Sequence, residues 1–76
     1  MSALETLLRT IAKKYPHKPT ESAGVQIYLS DGHWYGVVVM GLGRSLHNIR
    51  VDEEQGVETL IYNMQKLVEN DQGEKK

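Results

Sequence analysis

The 76-residue chain contains no cysteine. Its absence excludes disulfide bonds, thiol catalysis and zinc sites built from thiolates. Phenylalanine is also absent, and the aromatic side chains are one tryptophan and four tyrosines. The scaling of accessible surface with mass suggests that folding hides roughly 60% of the surface of the unfolded chain. The length corresponds to one domain with a thin aliphatic core.

Neither sign of charge dominates, because nine basic and ten acidic residues give a formal charge of −1. Nucleic-acid binding usually needs a basic excess on one face, so this balance argues against a polyanion as the dominant partner. The longest uninterrupted apolar run, Val37 to Met40, is far shorter than the roughly 20 residues that span a membrane. Glu5, Arg9 and Lys13 interrupt any secretory leader, so we expect a cytoplasmic protein without a membrane partner.

The first segment, residues 2–15, has the pattern of an amphipathic helix. Ser2 and Glu5 match a capping box, in which both side chains satisfy free backbone N–H groups. Apolar residues follow at helical spacing. They are Leu4, Leu7, Leu8, Ile11, Ala12 and Tyr15. Pro16 ends this helix, because the residue before a proline disfavours helical geometry.

A β-hairpin is predicted next, with strands at 25–30 and 33–40 joined by Asp31-Gly32, a dipeptide that favours a two-residue turn. This turn fixes the register and therefore the two faces of the hairpin. The face predicted to join the core carries Val25, Ile27, Leu29, Trp34, Val38 and Met40. The opposite face carries Gln26, Tyr28, His33, Tyr35, Val37 and Val39.

A third short strand at 46–51 and a second helix complete the predicted fold. Asp52 is a good N-cap with Gln55 three residues later. Apolar residues follow at helical spacing: Val57, Leu60, Ile61, Met64, Leu67 and Val68. Gly56 within this helix would cost about 1 kcal/mol relative to alanine. We predict one α+β domain over residues 1–70, with both helices on one face of a three-stranded antiparallel sheet. Residues 71–76 are predicted to be a disordered tail.

No constellation in the sequence indicates catalysis or a bound cofactor. His17, His33 and His47 do not have the spacing of a metal site, although the last two could meet across strands. Ser30, Asp31 and His33 are too close together in a tight hairpin to align as a catalytic triad. We therefore predict no metal, no cofactor and no enzymatic activity.

Residues 25–32, Gly36 and residues 47–51 together resemble the first signature of Sm-like and Hfq proteins. The resemblance implies a five-stranded barrel that follows an N-terminal helix and assembles into an RNA-binding ring. Asn48 and Arg50 would then contact RNA. This fold is the alternative to the α+β prediction, because it needs strands where residues 57–68 show a helical pattern.

The strongest functional indication is the hairpin face that no helix is predicted to cover. Tyr28 and Tyr35 lie opposite each other there, beside Val37 and Val39 and near Arg50. Tyrosine and arginine are enriched at binding hot spots. We expect a protein-binding module that forms a homodimer or binds a foreign target. Its size and composition resemble those of small inhibitors and adaptors, including phage-encoded ones.

Overall fold

A computed structural model describes residues 2–15, 22–43 and 45–71, except for the side chain of Leu42. Helix α1 spans Ala3–Lys14, and strands β1, β2 and β3 span Ala23–Ser30, His33–Met40 and Ser45–Asp52. Helix α2 spans Val57–Asn70. The three strands form one antiparallel sheet in the order β1-β2-β3. This arrangement confirms the predicted α+β architecture of helix, three-stranded sheet and helix.

Helix α1 begins at the cap that its sequence predicts, because the backbone N–H of Glu5 donates to Oγ of Ser2 at 3.0 Å. Leu7, Ile11 and Tyr15 are fully buried. Leu4 remains 38% exposed, so the buried stripe is narrower than the apolar pattern of the sequence.

The hairpin turn has the conformation that Asp31-Gly32 favours, with φ values of 51° and 75°. Positive φ at both central residues defines the turn type that matches the twist of paired strands. The register of β1 and β2 is therefore the predicted one, with Tyr28 opposite Tyr35 and Leu29 opposite Trp34. Strand β1 begins two residues earlier than predicted, at Ala23.

Both helices pack on the same face of the sheet. Helix α2 lies over β2 and β3, and α1 packs against β1 and α2. The buried residues of the core are Leu7, Ile11, Tyr15, Val38, Met40, Val51, Leu60, Ile61, Met64 and Val68. Gly36 lets α2 approach the central strand, because an ideal Cβ there would lie 2.6 Å from Sδ of Met64 and 3.0 Å from Cδ2 of Leu60.

Leu29 differs from the prediction, since its side chain is 47% exposed rather than buried. It lies on the helix side of the sheet, as its register requires. However, it stands at the turn end of β1, whereas α1 packs against the other end of that strand. There, Cδ2 of Leu8 lies 3.8 Å from the position of an ideal Cβ on Gly24. Neither helix therefore covers Leu29, although the alternation of apolar residues predicts that it is buried.

The second helix begins later than predicted. Asp52 and Gln55 do interact, and the backbone N–H of Asp52 donates to Oε1 of Gln55 at 3.0 Å. However, residues Glu53–Gln55 form a 3-10 turn, and Gly56 adopts φ 87° and ψ 157°. This conformation is available essentially only to glycine. Gly56 therefore separates the 3-10 turn from α2 instead of weakening the helix from within.

Among the described residues, neither helix has the length and hydropathy of a membrane-spanning segment. Most of the predicted tail, residues 72–76, lies outside the described residues, as do the connector 16–21 and Arg44. Asp71, the first residue assigned to the tail, follows α2 directly. Its backbone N–H donates to the carbonyl oxygens of Leu67 and Val68.

Candidate functional site: a tyrosine-bearing sheet face

The sheet face opposite the two helices forms the candidate site. We call it the tyrosine face. Alternation along the paired strands places these residues on it: Gln26, Tyr28, His33, Tyr35, Val37, Val39, Arg50 and Asp52. The five residues predicted to bind a protein are thus brought to one side of the molecule.

The centre of the tyrosine face is a pair of stacked rings. Tyr28 and Tyr35 have ring centroids 5.1 Å apart and an interplanar angle of 8°. Tyr28 is 46% exposed and Tyr35 is half-buried. Stacking restricts the orientations of the two rings, and this restriction would reduce the entropy lost if another surface packed on them.

His33 makes several contacts at the turn end of this face. Its Nδ1 lies 2.9 Å from the carbonyl oxygen of Asp31, and its Nε2 lies 3.4 Å from Oδ1 of Asp52. Its ring is also tilted against Tyr35, at 6.1 Å between centroids. The imidazole therefore connects the hairpin turn, the end of β3 and the tyrosine pair.

Arg50 lies directly opposite Tyr35 in the neighbouring strand and is exposed. Within the described part of the chain, its guanidinium has no ion-pair partner. Asn48, the other residue that the Sm-like resemblance implicates, is also exposed in β3. The Arg50 guanidinium could therefore form an ion pair with a carboxylate of another molecule.

Val37 and Val39 contribute less surface than the sequence suggests. Val37 is only 8% exposed and Val39 is half-buried. Val37 belongs to the central strand, so neighbouring side chains flank it on both sides. A partner on this face would mainly touch Tyr28, Tyr35 and Arg50, with Val39 at the margin.

Apart from the tyrosine face, the structure contains a polar cluster of Tyr15, His47 and Asp71 that the sequence did not predict. The Tyr15 hydroxyl donates to Oδ2 of Asp71 at 2.5 Å and lies 2.9 Å from Nε2 of His47. Nε2 of His47 lies 2.8 Å from the same carboxylate oxygen. The three residues come from the end of α1, the start of β3 and the end of α2.

This cluster has the groups of an acid–base site, but the exposure of Tyr15 is only 1%. Its hydroxyl therefore faces the interior, where its contacts to His47 and Asp71 connect α1 with β3 and the end of α2. His47 itself adopts a positive φ of 57°, which is uncommon for a residue other than glycine. It lies where the β2–β3 register shifts between Gly36 and Val38. No local sequence pattern predicts the bulge. The cluster is equally unpredictable, because its three residues are distant along the chain.

The histidines do not form the cross-strand pair that the sequence left open. His33 contacts Asp52, whereas His47 contacts Tyr15 and Asp71. Across the described residues, no three histidine, aspartate or glutamate side chains are grouped as metal ligands. His17 lies outside those residues.

Comparison with family models, curated proteins and solved structures gives no significant match to this chain.

Proposed function

We propose that the chain is a non-enzymatic binding module that docks its tyrosine face onto another protein, as a small inhibitor or adaptor does. The observation that carries the proposal is the stacked, partly exposed pair of Tyr28 and Tyr35 on a sheet face that neither helix covers. Pre-ordered aromatic rings bury a large area at a small cost in entropy, which is the property of interface hot spots.

The charges on this face favour a protein over an RNA partner. Arg50 is flanked along β3 by Asp52, and Glu53 and Glu54 follow in an exposed turn. These carboxylates would repel a phosphate backbone. In addition, Tyr28 and Tyr35 stack on each other, so a base cannot enter between their rings. An acidic side chain on a protein partner, paired with Arg50, fits this pattern better.

Affinity capture followed by reconstitution tests the proposal. A protein retained from source cells by the immobilised chain would be purified, and its Kd would be measured against the wild type and the Tyr28→Ser/Tyr35→Ser variant. We expect the double substitution to weaken binding by about 30-fold or more, because a hot-spot tyrosine contributes about 2 kcal/mol or more. Arg50→Glu should weaken binding further if the partner surface is acidic.

Tyr62→Ser is the matched control. Tyr62 is 60% exposed on α2, on the opposite side of the sheet from the tyrosine face. Its substitution should leave the Kd unchanged. If the double variant binds its partner as tightly as the wild type, the tyrosine face is not the docking surface and the proposal is wrong.

A further inference from the structure

The two edges of the sheet differ in how well they are protected. Strand β3 carries Arg50 and Asp52, and its pairing with β2 is interrupted by a bulge. Charges and bulges are devices by which proteins prevent an edge strand from pairing with another chain. Strand β1, at the other edge, has no charged residue, no proline and no bulge over its eight residues.

The hairpin geometry determines which backbone groups of β1 remain unpaired by β2. In a two-residue hairpin, the residues that flank the turn exchange hydrogen bonds, and such pairs alternate along the strands. Ser30 and its alternate residues, Tyr28 and Gln26, therefore direct their backbone groups toward β2. The N–H and C=O groups of Val25, Ile27 and Leu29 point away from the sheet, beyond which no described strand lies.

Helix α1 overlies only the first half of β1. Leu8 lies beside Gly24, near the start of the strand. Thr10 and Lys14 of α1 contact the middle and the end of α2, so the two helices run parallel. Because α2 ends beside Asp71, which contacts His47 at the start of β3, both helices run antiparallel to β1 and β3. Leu4 is one turn from Leu8, about 6 Å toward the hairpin turn. That distance corresponds to roughly two strand residues, so α1 begins near the level of Gln26.

Two exposed leucines flank this unprotected edge. Leu29 is 47% exposed beyond the start of α1, and Leu4 is 38% exposed in its first turn. Leu4 and Leu8 lie on the flank of α1 that faces away from α2, because Thr10 and Lys14 make the contacts to that helix. Among the residues that the structure describes, the edge of β1 and this flank therefore form a continuous surface of apolar side chains and backbone groups without hydrogen-bond partners.

We propose that a second copy of this chain pairs antiparallel with β1, forming a two-fold symmetric dimer with a continuous sheet of three strands from each copy. With the axis at Ile27, Leu29 lies opposite Val25 of the second copy, and three pairs of outward-directed residues can exchange hydrogen bonds. Leu4 of the second copy then lies near Leu29. Because α1 overlies only half of β1, the two α1 helices are staggered about the axis and do not overlap.

The edge of β1 can pair with the same edge of a second copy because it carries no charges that would repel each other. In the antiparallel arrangement, residues 25–29 of one copy lie opposite residues 29–25 of the other. Such an isologous contact closes at two copies. It also leaves the tyrosine face open, so the dimer does not depend on the proposed function. It would present two tyrosine pairs on one extended sheet surface.

Sedimentation equilibrium tests the dimer. The wild type should show twice the 8.6 kDa of the chain, and Leu29→Lys should show the mass of one chain, because it places a charge within the pairing edge. Circular dichroism should be unchanged, since Leu29 is an exposed residue. Tyr62→Lys, the same kind of substitution on exposed α2 surface, should remain dimeric. Hydrogen exchange gives an independent readout: the amides of Val25 and Ile27 should exchange more slowly as wild-type concentration rises.

Three outcomes would overturn this inference. The first is a wild type that stays monomeric at several hundred micromolar. The second is a folded Leu29→Lys variant that keeps the dimer mass. The third is a dimer that dissociates in the Tyr28→Ser/Tyr35→Ser variant but not in Leu29→Lys, which would place the second copy on the tyrosine face. None of these results depends on whether a foreign protein binds that face.

Discussion

Gly36 shows how one missing side chain positions a helix. The central strand approaches α2 so closely that a methyl group on Gly36 would overlap Met64 and Leu60, both fully buried. Displacing side chains in a closely packed core costs free energy.

We therefore expect Gly36→Ala to lower the free energy of unfolding by about 1–3 kcal/mol, as overpacking usually does. Urea denaturation measures this change. Gly24→Ala is the control, because its methyl group would meet Leu8 at an ordinary 3.8 Å, and it should be nearly neutral. Equal stabilities of the two variants would show that α2 does not pack as closely as described.

At the residue scale, the sequence predicts partners that a local rule fixes. The Asp31-Gly32 turn determines that Tyr28 faces Tyr35, and both predictions are confirmed. The sequence could not predict the exposure of Leu29, because this depends on where α1 lies along β1. The contact of Tyr15 with His47 was equally hidden, since it depends on tertiary packing and on a bulge.

The observed secondary structure differs most from the prediction at the break between the 3-10 turn and α2. A helix-propensity argument places Gly56 inside a helix and predicts that alanine would stabilise it by about 1 kcal/mol. The structure places Gly56 at φ 87°, outside α2.

We therefore expect Gly56→Ala to destabilise the protein by about 1–3 kcal/mol, because alanine is strained in this backbone region. Thermal unfolding followed by circular dichroism measures the change. Glu58→Ala, at an exposed position just inside α2, serves as the control for helix propensity and should change stability little. A stabilising Gly56→Ala substitution would indicate that the helix continues through residue 56.

Elements defined by strong periodicity were predicted well, and their boundaries less well. Apolar spacing of 3 and 4 residues identified both helices, and alternation identified β1 and β2. The cap at Asp52 forms as predicted but closes a short turn, since a capping pair does not determine how many turns follow it.

At the scale of the whole molecule, the cluster of Tyr15, His47 and Asp71 joins both helices to the sheet at the end opposite the hairpin turn. We expect Tyr15→Phe to lower the free energy of unfolding by about 1–3 kcal/mol, because it removes a hydroxyl that hydrogen-bonds a carboxylate in a partly buried site. Guanidinium denaturation gives the measurement. Tyr62→Phe should have no effect, because that residue is largely exposed. If both variants match the wild type, the cluster does not stabilise the fold.

The overall architecture was predictable because two apolar stripes and one apolar sheet face must be buried together, and the simplest solution places both helices on one side. The identity of the exposed face followed from that solution. The exposure of the β1 edge could not be predicted in this way, because it depends on strand order and on the position of α1.

The separation in sequence between the members of the polar cluster has a kinetic consequence. Its contacts span 24, 32 and 56 residues, whereas the hairpin closes through a two-residue turn. Short loops close first in folding, and distant contacts form after most of the entropy has been lost. We therefore expect the cluster to form on the native side of the transition state. Its loss should accelerate unfolding while refolding keeps its rate, so these three side chains would govern the lifetime of the native state.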